Sequence, residues 1–184
     1  MREDDRQLDG RVEIDDAYLG GERSGGKTGR GSENKVPFVA AVQTTSDGQP
    51  QFVCLRQQPF TLEEVSVFAA RSIAPSATGI SDGLRCFGAV QIVGADHERV
   101  VTGGGKASTK LPQFKAINTY LGNLKRFLSG TYHAFDFAKY AHRYLAEAQY
   151  RFNRRFNLRS ICLACCAPLA SQTQPLPSPF VWLR

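Results

Sequence analysis

The chain has 184 residues, with 23 Lys/Arg against 17 Asp/Glu and a net charge of +6, which is enough for one domain with a sizeable core. No apolar stretch approaches the roughly 20 residues of a membrane helix, and the charged start MREDDRQLDG lacks the apolar centre of a secretion signal; the expectation is a cytoplasmic protein with no membrane partner. The charge is uneven: residues 1–100 carry 11 Lys/Arg and 15 Asp/Glu, net −4, whereas residues 101–184 carry 12 and 2, net +10, a division suited to holding cations and a polyanion together.

Taken in chain order, Arg11–Leu19 alternates Val12, Ile14 and Tyr18 with polar residues and predicts a first strand. Residues 20–35, GGERSGGKTGRGSENK, are Gly-rich and basic and read as a loop. Val36–Thr45 is a second strand, Ser46-Asp47-Gly48 a hairpin turn, and Gln51–Gln57 a third strand. Thr61, with Glu64 three residues on, opens a helix as a capping box. Leu62, Val65, Phe68, Ala69 and Ile73 follow at helical spacing, and Pro75 ends it. Thr78–Ser81 is a short buried strand running into Asp82-Gly83. A helix from Leu84 to Val90 and a fifth strand, Glu98–Thr102, come next. After the break at Gly103-Gly104-Gly105, Pro112 to about Leu128 is helical, with Phe114, Ile117, Leu121, Leu124 and Leu128 on one stripe and Gly130 as its stop. Phe135–Phe156 is a long helix with aromatics on one side and arginines on the other. Residues 160–184 hold three of the five cysteines and four of the nine prolines and read as an irregular tail. This order is α/β, a mixed sheet with flanking helices. It fits a ribonuclease-H-like domain over residues 11–159, with 1–10 as an N-terminal extension.

The chemistry centres on Asp15, Asp82 and Asn118. Thirty-five residues separate Asp82 from Asn118, and Lys125 follows Asn118 by seven. Two strand-borne carboxylates and a helix-borne amide oxygen form an oxygen-only cage of the kind Mg²⁺ prefers, with Mn²⁺ as a substitute. Phosphodiester chemistry uses such cages because bound ions activate the attacking oxygen and stabilise the leaving one. The layout is that of a metal-dependent polynucleotidyl transferase with Asn where an acid is usual; the neutral Asn118 adds no charge and cannot act as a base. On the pleated strand Glu13 and Asp15 share one face and Asp16 takes the other. Seven residues is nearly two helical turns, so Asn118 and Lys125 share a helix face, and Lys125 can meet a phosphate beside the metal. The plain alternatives are solvated strand acids and a polar helix surface.

Gly21–Thr28 matches the phosphate-cradling pattern G-x-x-x-x-G-K-[ST], but that motif needs a helix after Thr28. Gly29 and Gly31 oppose one at about 1 kcal/mol per helical position, so nucleotide binding is the weaker reading. Lys27 and Arg30 of this loop are expected instead on the DNA backbone, as is Arg126 beside Lys125. His133 is a candidate DNA contact, although a packed, hydrogen-bonded histidine is the commoner case. Arg151, Arg154 and Arg155 interleave with Tyr150, Phe152 and Phe156, forming either an amphipathic helix end or a phosphate-binding face. His97 and His142 carry no signal. Cys162-x-x-Cys165-Cys166 has no second half, so no zinc site is expected.

Together VEIDDAYLGG, ISDGL, INTYLGNLK, LSGTYHAF and YLAEAQYRFNRRF resemble, in order, the bacterial insertion-sequence transposases of the ISXO-two-like group, over residues 10–159. The resemblance implies a DDE-type enzyme with a ribonuclease-H-like fold, Mg²⁺, and cutting and joining of DNA at terminal inverted repeats. Asp15 and Asp82 would be the metal-binding acids, Asn118 the third site residue and Lys125 the downstream basic one. DNA and further copies of the chain would be the partners. Members of the group usually carry a zinc-ribbon recognition region ahead of this domain, and the tail after Arg159 has the composition of a shifted reading frame. The expectation is therefore a truncated copy, either an enzyme or a non-catalytic DNA-binding relic that interferes with a full-length transposase.

Overall fold

The computed structural model describes residues 6–20, 35–101, 111–132 and 136–157. Its strands are β1 (Arg11–Gly20), β2 (Lys35–Thr44), β3 (Pro50–Gln57), β4 (Thr78–Ser81) and β5 (Asp96–Arg99), and its α-helices α1 (Leu62–Ser72), α2 (Lys115–Thr131) and α3 (Phe137–Asn153). They build one mixed sheet in the order β3-β2-β1-β4-β5. β2 runs antiparallel to β1 and β3, while β4 lies parallel to β1 and β5 parallel to β4. This is a ribonuclease-H-like α/β arrangement.

The alternation along β1 sorts the core into two layers. Val12 and Ile14 pack with Val39, Ala41 and Cys54 against Val65, Phe68 and Ala69 of α1. Ala17 and Leu19 pack with Phe38, Ala40 and Val42 on the other face, against Ile117, Leu121, Leu124 and Leu128 of α2 and Leu145 of α3. Each such side chain, fully buried, contributes about 1.5–3 kcal/mol of transfer free energy, which fixes both helices to that face. Thr61 caps α1 as its sequence requires, its hydroxyl accepting from the Glu64 N–H at 3.3 Å. Gly48 closes the β2–β3 hairpin with φ of 74°, a left-handed conformation that favours glycine. Gly79 has a different reason: a Cβ there would lie 3.0 Å from Val90 Cγ1 and 3.2 Å from Ile14 Cδ1.

Several boundaries depart from the sequence pattern. Leu84–Val90 is not an α-helix; Arg85–Val93 is a 3₁₀ segment, with no side-chain cap at Leu84 and Gly94 in the left-handed region at its end. β5 occupies Asp96–Arg99 rather than Glu98–Thr102, because the four residues of β4 pair only with those four. Gly130 does not stop α2. It is exposed, and the Tyr132 N–H still reaches the Leu128 carbonyl, so the helix ends at Thr131. α3 begins only at Phe137, where Asp136 accepts from the Lys139 N–H at 3.1 Å, and it ends at Asn153. The residues ahead of β1, expected as an extension, include Leu8, which is fully buried and bridges to Ile73. The Gly-rich loop over 21–34 and the tail from 158 lie outside the described residues.

β3 is an edge strand, and α3 supplies what its outer side lacks. The Asn153 side chain accepts from the Val53 N–H at 2.8 Å and donates to the Val53 carbonyl at 3.0 Å, while Gln149 accepts from the Leu55 N–H at 2.8 Å. Four residues of helix rise about 6 Å and two of strand about 6.6 Å, so an i,i+4 amide pair matches alternate residues of the strand.

Glu13 fastens α2 to the sheet. It is 1 % exposed, the one charged residue among the buried polar residues described. Its Oε1 receives Arg11 at 2.6 Å and its Oε2 receives the Ile117 N–H at 2.9 Å. Ile117 is the third residue of α2, where a helix N–H has no partner within the helix and a carboxylate is favoured by the dipole. Arg11 also donates to the Gln113 carbonyl at 2.9 Å, holding the 3₁₀ turn Pro112–Phe114 that leads into α2. At the far end of α2 the Tyr132 hydroxyl donates to Glu147 of α3. That bond, then burial, raises the Tyr132 phenol to about 12.

Removing one partner of a buried pair costs about 3–5 kcal/mol. Because Arg11 is one-third exposed, Glu13→Ala is expected at the lower end, about 3 kcal/mol, read from urea unfolding. The Tyr132 phenol keeps its proton in the folded chain above the ordinary value near 10, where the unfolded chain releases it. Stability should therefore fall as pH rises from about 10 towards 12, and Glu147→Ala should make that fall shallower.

Candidate active site

The site begins where the parallel ladder stops. The last rung between β1 and β4 is Ile14 with Ser81, so Asp15 is the next residue of β1 and Asp82 the first residue past β4. Their carboxylates meet there together with that of Asp16, with one oxygen of each within 4.8 Å of the others. All three are partly buried. One Asp15 oxygen accepts from the Asp16 N–H at 2.9 Å and one Asp82 oxygen from the Leu84 N–H at 3.0 Å, which orients both groups.

The pleat assigns Asp16 to the opposite face from Asp15, yet its carboxylate joins the same cluster. β1 continues to Gly20 while β4 ends at Ser81, so β4 gives Asp16 no neighbouring strand on that side. The sequence contains the acid but not the length of the strand beside it.

α2 forms the opposite wall. A groove of about 880 Å³ is lined by Asp15, Asp16, Lys35, Asn118, Lys125 and Arg126, among others. Asn118 is partly buried, one residue past the Ile117 N–H that Glu13 anchors, while Lys125 and Arg126 are exposed. The structure thus brings Asp15, Asn118, Lys125 and Arg126 into one groove, and Asp82 reaches it through the acid cluster. Lys35, at the start of β2, is a cation the sequence did not single out, since it closes the run 20–35 read as loop. The donors at the acid end are all oxygens, a set that suits a hard divalent ion rather than a soft one. Three cations along the same groove suit a phosphate chain.

The arginines after α3 lie elsewhere. Arg155 donates to the Pro50, Gln51 and Phe152 carbonyls at 2.6, 3.0 and 2.9 Å, and its guanidinium sits over the Phe152 ring. Arg151 pairs with Glu147 at 3.6 Å and Arg154 stacks on Tyr150. None of the three lines the groove that holds Asp15. Lys27, Arg30 and His133 fall outside the described residues.

His97 proves to be placed at the site's margin. Its Nε2 lies 2.8 Å from Ser81 Oγ, and burial, then the charge of Arg99, lowers its pKa below the ordinary value.

Residues 7–153 match the ISXO2-like transposase domain. The chain belongs to that transposase family. No curated protein matches it. Membership makes this a domain of insertion-sequence transposition, and it implies binding to DNA and use of a divalent metal ion, with which the acid cluster agrees.

Three carboxylates this close repel one another without a counter-ion. Asp82→Asn keeps an acceptor for the Leu84 N–H while removing one charge. It should raise the urea midpoint of the chelator-treated protein, and saturating Mg²⁺ should narrow or reverse the difference.

Proposed function

We propose that this transposase domain cleaves DNA at the ends of an insertion sequence and joins the freed ends to target DNA, with Asp15, Asp82, Asn118 and Lys125 as the catalytic set. The observation that carries the reading is the convergence of carboxylates from β1 and from the residue after β4, with Asn118 and Lys125 across the groove that Asp15 lines, in a chain of this family. Asp15, Asp82 and the Asn118 amide oxygen would hold Mg²⁺, or Mn²⁺ in its place. Bound there, the ion would activate an attacking oxygen and offset charge on the leaving one.

The chain's own groups supply position and charge. Lys125 and Arg126 bind phosphates flanking the scissile bond and keep the strand in line with the acids, which is most of what phosphoryl transfer asks of a protein. In the first step water attacks a phosphodiester, the P–O3′ bond breaks and a 3′-hydroxyl is released. In the second, that hydroxyl attacks a phosphodiester of the target and displaces its 3′-oxygen. Asn118 is neutral and takes no proton in either step. Lys27, Arg30, His133 and the arginines Arg151, Arg154 and Arg155 extend the DNA contact surface. Two ends of one element call for more than one copy of the chain, so a homo-oligomer assembled on DNA is part of the reading. No described helix is long and apolar enough to cross a membrane, and we place the protein with DNA in the cytoplasm.

Calorimetric titration with Mn²⁺ should show binding that Asp15→Ala and Asp82→Ala each abolish. On labelled duplexes carrying the element's ends, Mg²⁺-dependent nicking should vanish in both variants and fall about 10²-fold in Lys125→Ala. Salt-sensitive DNA binding with no metal uptake and no nicking would instead identify a non-catalytic DNA-binding relic.

A further inference from the structure

We infer that His97 and Arg99 of β5 are positioning residues that set the place of Asp82, an inference that rests on the reading of Asp82 as a metal ligand. β4 has only four residues and its pairing with both neighbours ends at Ser81. Asp82 and Gly83 therefore stand one and two residues beyond the last rung, where strand geometry no longer fixes them. Metal ligands need placement to within about 0.5 Å, so something else must hold this turn.

β5 and the residue after it supply it from three points. The Val100 N–H donates to the Ser81 carbonyl at 2.9 Å. The Arg99 guanidinium donates to the Gly83 carbonyl at 2.5 Å. The His97 Nε2 lies 2.8 Å from the hydroxyl of Ser81, and that hydroxyl donates to the Asp82 carbonyl at 3.0 Å. Ser81 is fully buried and its hydroxyl has one proton. With that proton given to Asp82, the hydroxyl accepts, so His97 is the donor and carries its proton on Nε2. His97 and Arg99 are two apart on β5 and lean to the same side, which lets one strand clasp the turn on both sides of Asp82. Within the turn, the Leu84 N–H fixes one carboxylate oxygen of Asp82 at 3.0 Å. The hydrogen bonds from β5 thus hold the backbone on both sides of Asp82, and the Leu84 N–H orients the carboxylate that this backbone carries.

Arg99 is exposed and His97 only partly buried, so substitutions there can be made in the full chain. The experiment measures Mn²⁺ affinity by calorimetry, together with urea midpoints, for the parent, His97→Ala, His97→Gln, Arg99→Ala and Asp82→Ala. Removing a partner that orients a metal ligand costs about 10–100-fold in metal affinity. His97→Ala and Arg99→Ala should each weaken Mn²⁺ binding by about 10-fold, and His97→Gln, which retains an N–H donor, should restore most of it at an unchanged urea midpoint. If Asp82→Ala abolishes binding while His97→Ala and Arg99→Ala bind as the parent does, the positioning role is wrong and the metal site stands. If Asp82→Ala binds Mn²⁺ like the parent, or the parent binds none, the reading of Asp82 fails and the inference falls with it. A loss in His97→Ala that tracks the urea midpoint and that His97→Gln does not recover would mark His97 as a stability residue only and overturn its part.

Discussion

The helical layer that faces the acids is held in register by one buried carboxylate. Glu13 lies under the start of α2 with one oxygen on the Ile117 N–H and the other on Arg11. A charge this deep is tolerated only with partners for both oxygens, so the pair of bonds also fixes where the helix may begin. Two residues further along β1 comes Asp15, and one residue further along α2 comes Asn118. The Glu13–Ile117 bond thus ties the start of α2 to β1 next to the acids, and Asn118 is placed one residue from that tie. Apolar packing alone is non-directional and would hold the helix against the sheet without choosing its axial position.

A second constraint is the unequal length of neighbouring strands. β1 has ten residues and β4 four, and the acid cluster lies where the shorter one stops. Carboxylates at that step can approach each other because no rung intervenes, and an acid from the opposite face can lean in. The same step removes the ladder that would have held Asp82, so order there has to come from other hydrogen bonds. Exposure to a ligand and loss of support are one geometric event, and the second has to be offset for the first to be useful.

The sheet and its helices were largely legible because period-2 and period-3.6 patterns report burial directly. β1, β2, β3 and α1 fall within one or two residues of their expected limits, and the α2 stripe from Ile117 to Leu128 is buried as its spacing demands. Legibility failed where a neighbour, rather than local pattern, decides the outcome. β5 is cut to the length of β4, and the 3₁₀ segment replaces a helix where capping is absent. Asp15, Asn118 and Lys125 could be grouped from spacing and resemblance. Asp16 could not, because its reach depends on where β4 ends; nor could Lys35, which adjoins a loop, or His97, whose strand was drawn two residues late. The interleaving of Arg155 with aromatics was visible in the sequence, but its bonds to the Pro50 and Gln51 carbonyls join segments about a hundred residues apart, which no local pattern reveals.

An exposed strand edge invites pairing with any other extended chain. At β3 the amide side chains of Gln149 and Asn153 imitate such a visitor, answering the donors and acceptor of Val53 and Leu55 at the spacing a real strand would use. The sheet is in effect already extended there by a helix, and a neighbouring molecule gains nothing at that margin until α3 is lifted away. This keeps neighbouring copies of the chain from fusing edge to edge at β3.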